Sequence, residues 1–139
     1  MKVSINRIND NYLFEAKGAS GVPVLMDNSG EADPKGASPM ELLLMGVGGC
    51  NAIDVVSILK KQRQEITSYK IDVEGSRKEV KEAKPFESIH VTLYLEGNID
   101  EAKAIRAAEL SFDKYCSVSI TMQDSVKVTH SIVLNGKSI

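Results

Sequence analysis

Residues 38–62 read SPMELLLMGVGGCNAIDVVSILKKQ, and this stretch decides the architecture. Ser38 is a natural N-cap, Pro39 suits the first helical position, and Glu41 stands three residues after the cap. A helix is expected from there to about Gln62, long enough to cross a domain. Leu42 to Leu59 is eighteen residues and mostly apolar, at the lower edge of a membrane-spanning length. Asn51 and Asp54 lie in its middle, however, and Gly46, Gly48 and Gly49 weaken it. A carboxylate at the bilayer centre costs roughly 2.5–3.5 kcal/mol on the insertion scale. The stretch therefore reads as a central helix buried all round, not as a membrane span.

Upstream, short strands are expected. Val3-Ser4-Ile5 alternates, Asn9-Asp10-Asn11 is a turn cluster, and Tyr12 to Lys17 forms a second strand. Gly18-Ala19-Ser20-Gly21 turns again, and Val22 to Met26 is a third run in which Pro23 suggests an edge. Asp27 to Gly36 is a polar loop.

Downstream, Tyr69, Ile71 and Val73 alternate with charged residues, as Ile89, Val91, Leu93 and Leu95 alternate with polar ones. The two runs read as a hairpin with one buried face and a charged tip over residues 77–84. Asp100 can cap a second helix from Glu101 to about Lys114, with Ala104, Ile105, Ala108 and Phe112 on one side. A short helix over residues 117–123 and a final strand carrying Val126, Val128, Ile132 and Leu134 complete the chain. The order β-β-β-α-β-β-α-α-β implies an α+β fold, a largely antiparallel sheet packed on the long helix, within a single domain over residues 1–139.

Composition narrows the function classes. A chain of 139 residues can bury a core, and 42% apolar with 26% charged residues is ordinary for a soluble globular protein. A net charge of −2 offers nothing to nucleic acid or an anionic membrane, and the absence of Trp removes a base-stacking platform. The N-terminal residues pattern as a strand and not as a signal peptide. A cytoplasmic protein is expected, and in that compartment a disulfide is more often transient and chemical than structural.

That expectation gives weight to Cys50 and Cys116, the two cysteines of the chain. Two readings stand for Cys50. It is a small buried hydrophobe, as free Cys often is, or it is a reactive thiol beside Gly48 and Gly49, which let another backbone approach. Cys116 is a helix-boundary residue, or a thiol near the N-terminus of the helix starting at Ser117, where exposed N–H groups favour the thiolate.

Glu41 lies nine residues before Cys50. At about 100° per residue the two face opposite sides of one helix, so Glu41 is expected away from its own Cys50. It is a capping partner of Ser38, or it meets the Cys50 of a second subunit whose helix packs alongside. Asp54 is one turn beyond Cys50, on the same face, and a neighbouring carboxylate opposes thiolate formation. His130 reads as a core or interface histidine and His90 as solvated. A metal held by Cys50, Cys116 and His130 would have too few ligands and no recognisable spacing, so no metal is expected.

Residues 38–58, with Gly49-Cys50 nine residues past Glu41, and the later Tyr115-Cys116-Ser117-Val118-Ser119 resemble the OsmC family of osmotically inducible and organic hydroperoxide resistance proteins. Ser38-Pro39-Met40-Glu41, the run Ala52 to Leu59 and Thr129-His130-Ser131 resemble its YhfA-like branch in particular. The resemblance implies an intertwined homodimer in which two sheets enclose two long helices and the active sites lie at the subunit interface. It implies thiol chemistry on organic hydroperoxides at Cys50, with Cys116 as resolving thiol, Glu41 near the reactive sulfur, a cellular dithiol as reductant and no cofactor. Peroxidase members carry an Arg in the loop before the long helix. Residues 27–37 here hold no Arg, and Lys35 is their one cation. A point charge does not make the bidentate contact of a guanidinium. That departure keeps a second reading open, a non-catalytic module binding a small apolar ligand at the dimer interface.

Overall fold

The computed structural model describes residues 1–139. They fall into two compact units, Met1–Leu43 and Leu44–Ile139.

The first unit holds three strands, β1 (Ser4–Arg7), β2 (Phe14–Lys17) and β3 (Pro23–Met26), paired antiparallel in that order. Val3, Ile5, Val22 and Val24 are all exposed. The polar loop after β3 is organised by Asp27, whose carboxylate accepts the N–H groups of Asn28 and Lys35 at 2.8 and 2.9 Å. Gly36 is required there. A Cβ at that position would stand 2.6 Å from the Leu25 carbonyl group, where the loop crosses back over β3. Helix α1 (Pro39–Lys61) opens on the anticipated capping box. Ser38 Oγ accepts the Glu41 N–H at 3.3 Å, and the Glu41 carboxylate accepts the Ser38 N–H at 2.7 Å.

In the second unit α1 presents Val47, Asn51, Val55 and Leu59 inward, four residues apart along one stripe and each fully buried. The helix is long and apolar enough to cross a membrane by composition, with mean hydropathy 1.9. Its buried stripe packs instead against protein. Gly48 lets the helix approach the sheet, since a Cβ there would lie 2.7 Å from Val73 Cγ2. The helix is thus not buried all round, as its composition suggested: the opposite face is uncovered, with Met45 and Ile53 at 57% and 70% exposure.

Strands β4 (Glu65–Arg77) and β5 (Phe86–Asn98) form the expected antiparallel hairpin, and Ile89, Val91, Leu93 and Leu95 are buried as their alternation implies. Helix α2 (Glu101–Leu110) is capped by Asp100, whose side chain accepts the Lys103 N–H at 3.0 Å. Ala104, Ala107 and Ala108 form its buried face. Helix α3 (Ser117–Met122) leads into β6 (Lys127–Leu134) and β7 (Lys137–Ser138), giving the order β4-β5-β6-β7.

Three further details differ from the sequence expectation. The sheet is not antiparallel throughout: β6 runs parallel to β5, because the intervening helices carry the chain back to the starting end. α2 does not continue as α-helix to Lys114. Residues Ser111–Tyr115 form a π-helical turn closed by Cys116 N–H donating to the Ser111 carbonyl at 2.8 Å. Strand β7 was not anticipated, although Asn135-Gly136, with φ of 50° and 79°, is the tight hairpin signature.

The Gly48 approach is testable. Helix propensity alone favours Gly→Ala by about 1 kcal/mol, but overpacking against the stiff Val73 side chain costs about 1–3 kcal/mol. Gly48→Ala is expected to lower the urea midpoint. In a double-mutant cycle, Val73→Ala is expected to recover part of that loss, and simple additivity would contradict the contact.

Candidate functional site

Two sulfurs and a carboxylate converge in the second unit. Cys50 lies midway along α1 and Asp54 one turn later on the same face, while Cys116 is the N-cap residue of α3. The Sγ atoms of Cys50 and Cys116 and a carboxylate oxygen of Asp54 all lie within 4.8 Å of one another. Both cysteines are free thiols; Cys116 is fully buried and Cys50 half-buried.

Their placement depends on a buried polar network. Asn51, fully buried, donates to the Val47 carbonyl at 2.8 Å and to Ser119 Oγ at 3.1 Å. Its Oδ1 accepts from Ser111 Oγ at 2.8 Å, and the same hydroxyl stands 3.3 Å from Asp54 Oδ2. Ser119 donates twice to Cys116 Sγ, from its N–H at 3.3 Å and its hydroxyl at 3.1 Å. The π-helical turn supplies Ser111 and α3 supplies Ser119. One amide on α1 thus bonds to both elements that flank Cys116.

Cys116 departs from the sequence expectation. Its sulfur does accept hydrogen bonds at a helix N-terminus, yet burial pushes its pKa up, against the lowering effect of the two Ser119 bonds. The neighbouring Cys50 adds to the rise. Removal from water outweighs the N–H groups of a helix only six residues long. No basic side chain within Leu44–Ile139 is hydrogen-bonded to Cys50, Asp54 or Cys116.

The other residues singled out from sequence fall elsewhere. The Glu41 carboxylate is engaged in the capping box, and the Ser38 bonds hold it below the usual carboxylate range. Lys35 pairs with Asp33 on the exposed loop. His130 stacks on Phe112, with ring centroids 4.3 Å apart and planes 15° apart, and burial lowers its pKa. It lines an open cavity of about 640 Å³ with Phe112, Asp113, Ser119, Val126 and Val128, so Ser119 faces both the cavity and the thiol. His90 is not simply solvated: its ring nitrogens bond Thr129 Oγ1 at 2.8 Å and Ser131 Oγ at 3.0 Å. The parallel register of β5 and β6, which sets His90 opposite Thr129, brings those hydroxyls to it.

Sequence reasoning passed over Asn51, Ser111 and Ser119. Asn51 carried a usable signal, as a polar residue on the Val47-Val55-Leu59 stripe, where burial demands hydrogen-bond partners.

Residues 30–131 match the model of the OsmC-like protein family. The chain belongs to the OsmC-like family. It is 42% identical over 124 residues to protein YhfA of Escherichia coli K12, covering 88% of this chain and 90% of that one. A hypothetical protein from Aquifex aeolicus has a similar crystal structure, with TM-score 0.81, 32% identity and 96% coverage of both chains. The organic hydroperoxide resistance protein OhrB of Bacillus subtilis shares the fold, with TM-score 0.64, 21% identity and coverage of 94% of this chain and 96% of that one. Within this OsmC-like fold, the segment Tyr115-Cys116-Ser117-Val118-Ser119 serves as a cap: the sulfur takes the place an N-cap oxygen usually fills.

The Ser119 hydroxyl is expected to hold the Cys116 pKa down from a still higher value. Ser119→Ala, in a Cys50→Ser background, should move the alkylation rate profile of Cys116 to higher pH. It also leaves the Asn51 amide short of an acceptor, so stability should fall by about 1–3 kcal/mol. An unshifted alkylation profile would show that the hydroxyl bond does not act on the thiol.

Proposed function

We propose that this OsmC-like protein is a thiol-dependent redox protein whose Cys50 and Cys116 cycle between dithiol and intramolecular disulfide, reducing organic hydroperoxides. The observation that carries the reading is the approach of two free sulfurs from separate elements to within 4.8 Å. Cys50 is the attacking sulfur, because it is half-buried and Cys116 is fully buried. Its thiolate attacks the distal peroxide oxygen, the O–O bond breaks, and the alkoxide leaves with a proton as alcohol. Cys116 then attacks the sulfenic sulfur, an S–S bond forms, and hydroxide leaves with a proton as water. A cellular dithiol restores both thiols by exchange.

The site is completed in a homodimer. The uncovered apolar residues on α1, Met45 and Ile53, suit a face between two copies. Glu41 lies half a turn from Cys50 around α1, so packing α1 against its counterpart carries that carboxylate toward the partner subunit's Cys50. The protein acts in the cytoplasm, where a dithiol reductant is at hand.

A second reading rests on charge. The thiol cluster has Asp54 beside it and no basic side chain of its own unit bonded to it. A module binding an apolar ligand at the same interface needs no thiolate.

Purified protein with dithiothreitol is expected to consume cumene hydroperoxide, and Cys50→Ser to reduce consumption to the level of a cysteine-free variant. One equivalent of peroxide should give the Cys50–Cys116 disulfide by mass spectrometry, and Cys116→Ser should accumulate overoxidised Cys50. No turnover and no disulfide would favour the binding module. Light scattering at micromolar concentration should report a dimer; a monomer would overturn the shared site.

A further inference from the structure

We infer that Cys50, Asp54 and Cys116 form a binding site for one thiophilic divalent cation of the zinc class, and that cation and disulfide exclude one another there. The cation site does not depend on hydroperoxide turnover and stands if that reading fails; the exclusion rests on the disulfide of that reading.

The donor set is the first ground. Two thiols and a carboxylate lie within 4.8 Å of one another. A tetrahedral zinc ion with Zn–S of about 2.3 Å and Zn–O of about 2.0–2.2 Å sets its ligand atoms roughly 3.5–3.8 Å apart. Contraction by about 1 Å or less completes that geometry. Cys50 and Asp54 stand one turn apart on α1, the spacing by which a helix offers two ligands from one face. Cys116 arrives from a separate element. Thiolate donors select zinc-like cations over magnesium or calcium.

The surroundings are the second ground. Asp54 Oδ2 stands 3.3 Å from the Ser111 hydroxyl, and Cys116 Sγ accepts from the Ser119 N–H and O–H. Both serines are buried and anchored to Asn51. Metal ligands are oriented by outer hydrogen bonds of this kind. Charge is the third ground. Two sulfurs and a carboxylate share the cluster, and none of them is bonded to a basic side chain of the same unit. A divalent cation displaces the thiol protons on binding, and no basic side chain of the unit competes with it for the sulfurs and the carboxylate. Three donors look too few from sequence, but three protein ligands with water in the fourth position make an open zinc site, and Cys50 is only half-buried.

The exclusion follows from electron count. Forming the S–S bond removes two electrons from the thiolate pair, which pass to a peroxide that becomes alcohol and water on taking up two protons. The sulfurs then carry no charge to hold the ion, and it leaves as M²⁺. Bound cation conversely occupies the lone pairs that attack peroxide.

The test is anaerobic titration of the reduced full chain with Co²⁺ as spectroscopic probe, followed by Zn²⁺ displacement. One cobalt per chain is expected, with a thiolate-to-cobalt charge-transfer band and the visible bands of tetrahedral Co²⁺. Asp54→Asn, nearly isosteric, should weaken binding at least about tenfold, and Ser111→Ala should weaken it less. Zinc-loaded protein should form the disulfide more slowly on addition of peroxide than metal-free protein, and oxidised protein should bind no cobalt. Far-UV circular dichroism of each variant keeps a folding defect apart from a lost ligand. Absence of the charge-transfer band in folded, reduced wild-type protein would overturn the site, as would unchanged affinity in folded Asp54→Asn.

Discussion

The amide of Asn51 is the constraint on which the second unit turns. It is fully buried, and its two N–H bonds and one accepted bond reach α1, α3 and the π-helical turn. A buried amide left unpaired costs about 1–3 kcal/mol per group. Every arrangement of these elements that breaks the set is penalised, so the network selects one register of α1 against the segment that carries Cys116. The distance between the two sulfurs follows from that register. The π-helical turn belongs to the same constraint: its wider winding sets Ser111 on Asn51 and lets Cys116 begin α3 as a cap.

The polar network and the chemistry pull in different directions at Cys116. Burial disfavours its thiolate and Ser119 favours it, with burial the stronger. A buried thiol of raised pKa suits a partner that acts late, on a sulfur already oxidised, better than one that must meet peroxide first. Cys50, half-buried and on the edge of the uncovered α1 face, has the access that Cys116 lacks. The unequal burial of the two sulfurs is what the proposed order of steps rests on.

Asp54 links the redox reading to the cation reading. A carboxylate beside two thiols is favourable for a shared cation. Under the two proposals the same three groups would rest either as a sulfur–sulfur bond or as a metal bridge, according to oxidant and cation supply.

Much of this was legible in the residues alone. The capping box at Ser38 and Glu41, the β4–β5 alternation and the two cysteine segments are local patterns, set by nearest neighbours and by the 3.6 and 2.0 periods of helix and strand. The sequence by itself therefore determined most of the elements, the family and the two thiols as candidates for reactivity. The tertiary structure alone decided the parallel β5–β6 pairing, the π-helical turn, the bonding of His90 to β6 and the meeting of Cys50, Asp54 and Cys116. Those depend on contacts between residues as much as 68 positions apart, such as Asn51 and Ser119. The sign of the Cys116 shift belongs with them, because desolvation is a property of the packed surroundings and is written in no local pattern.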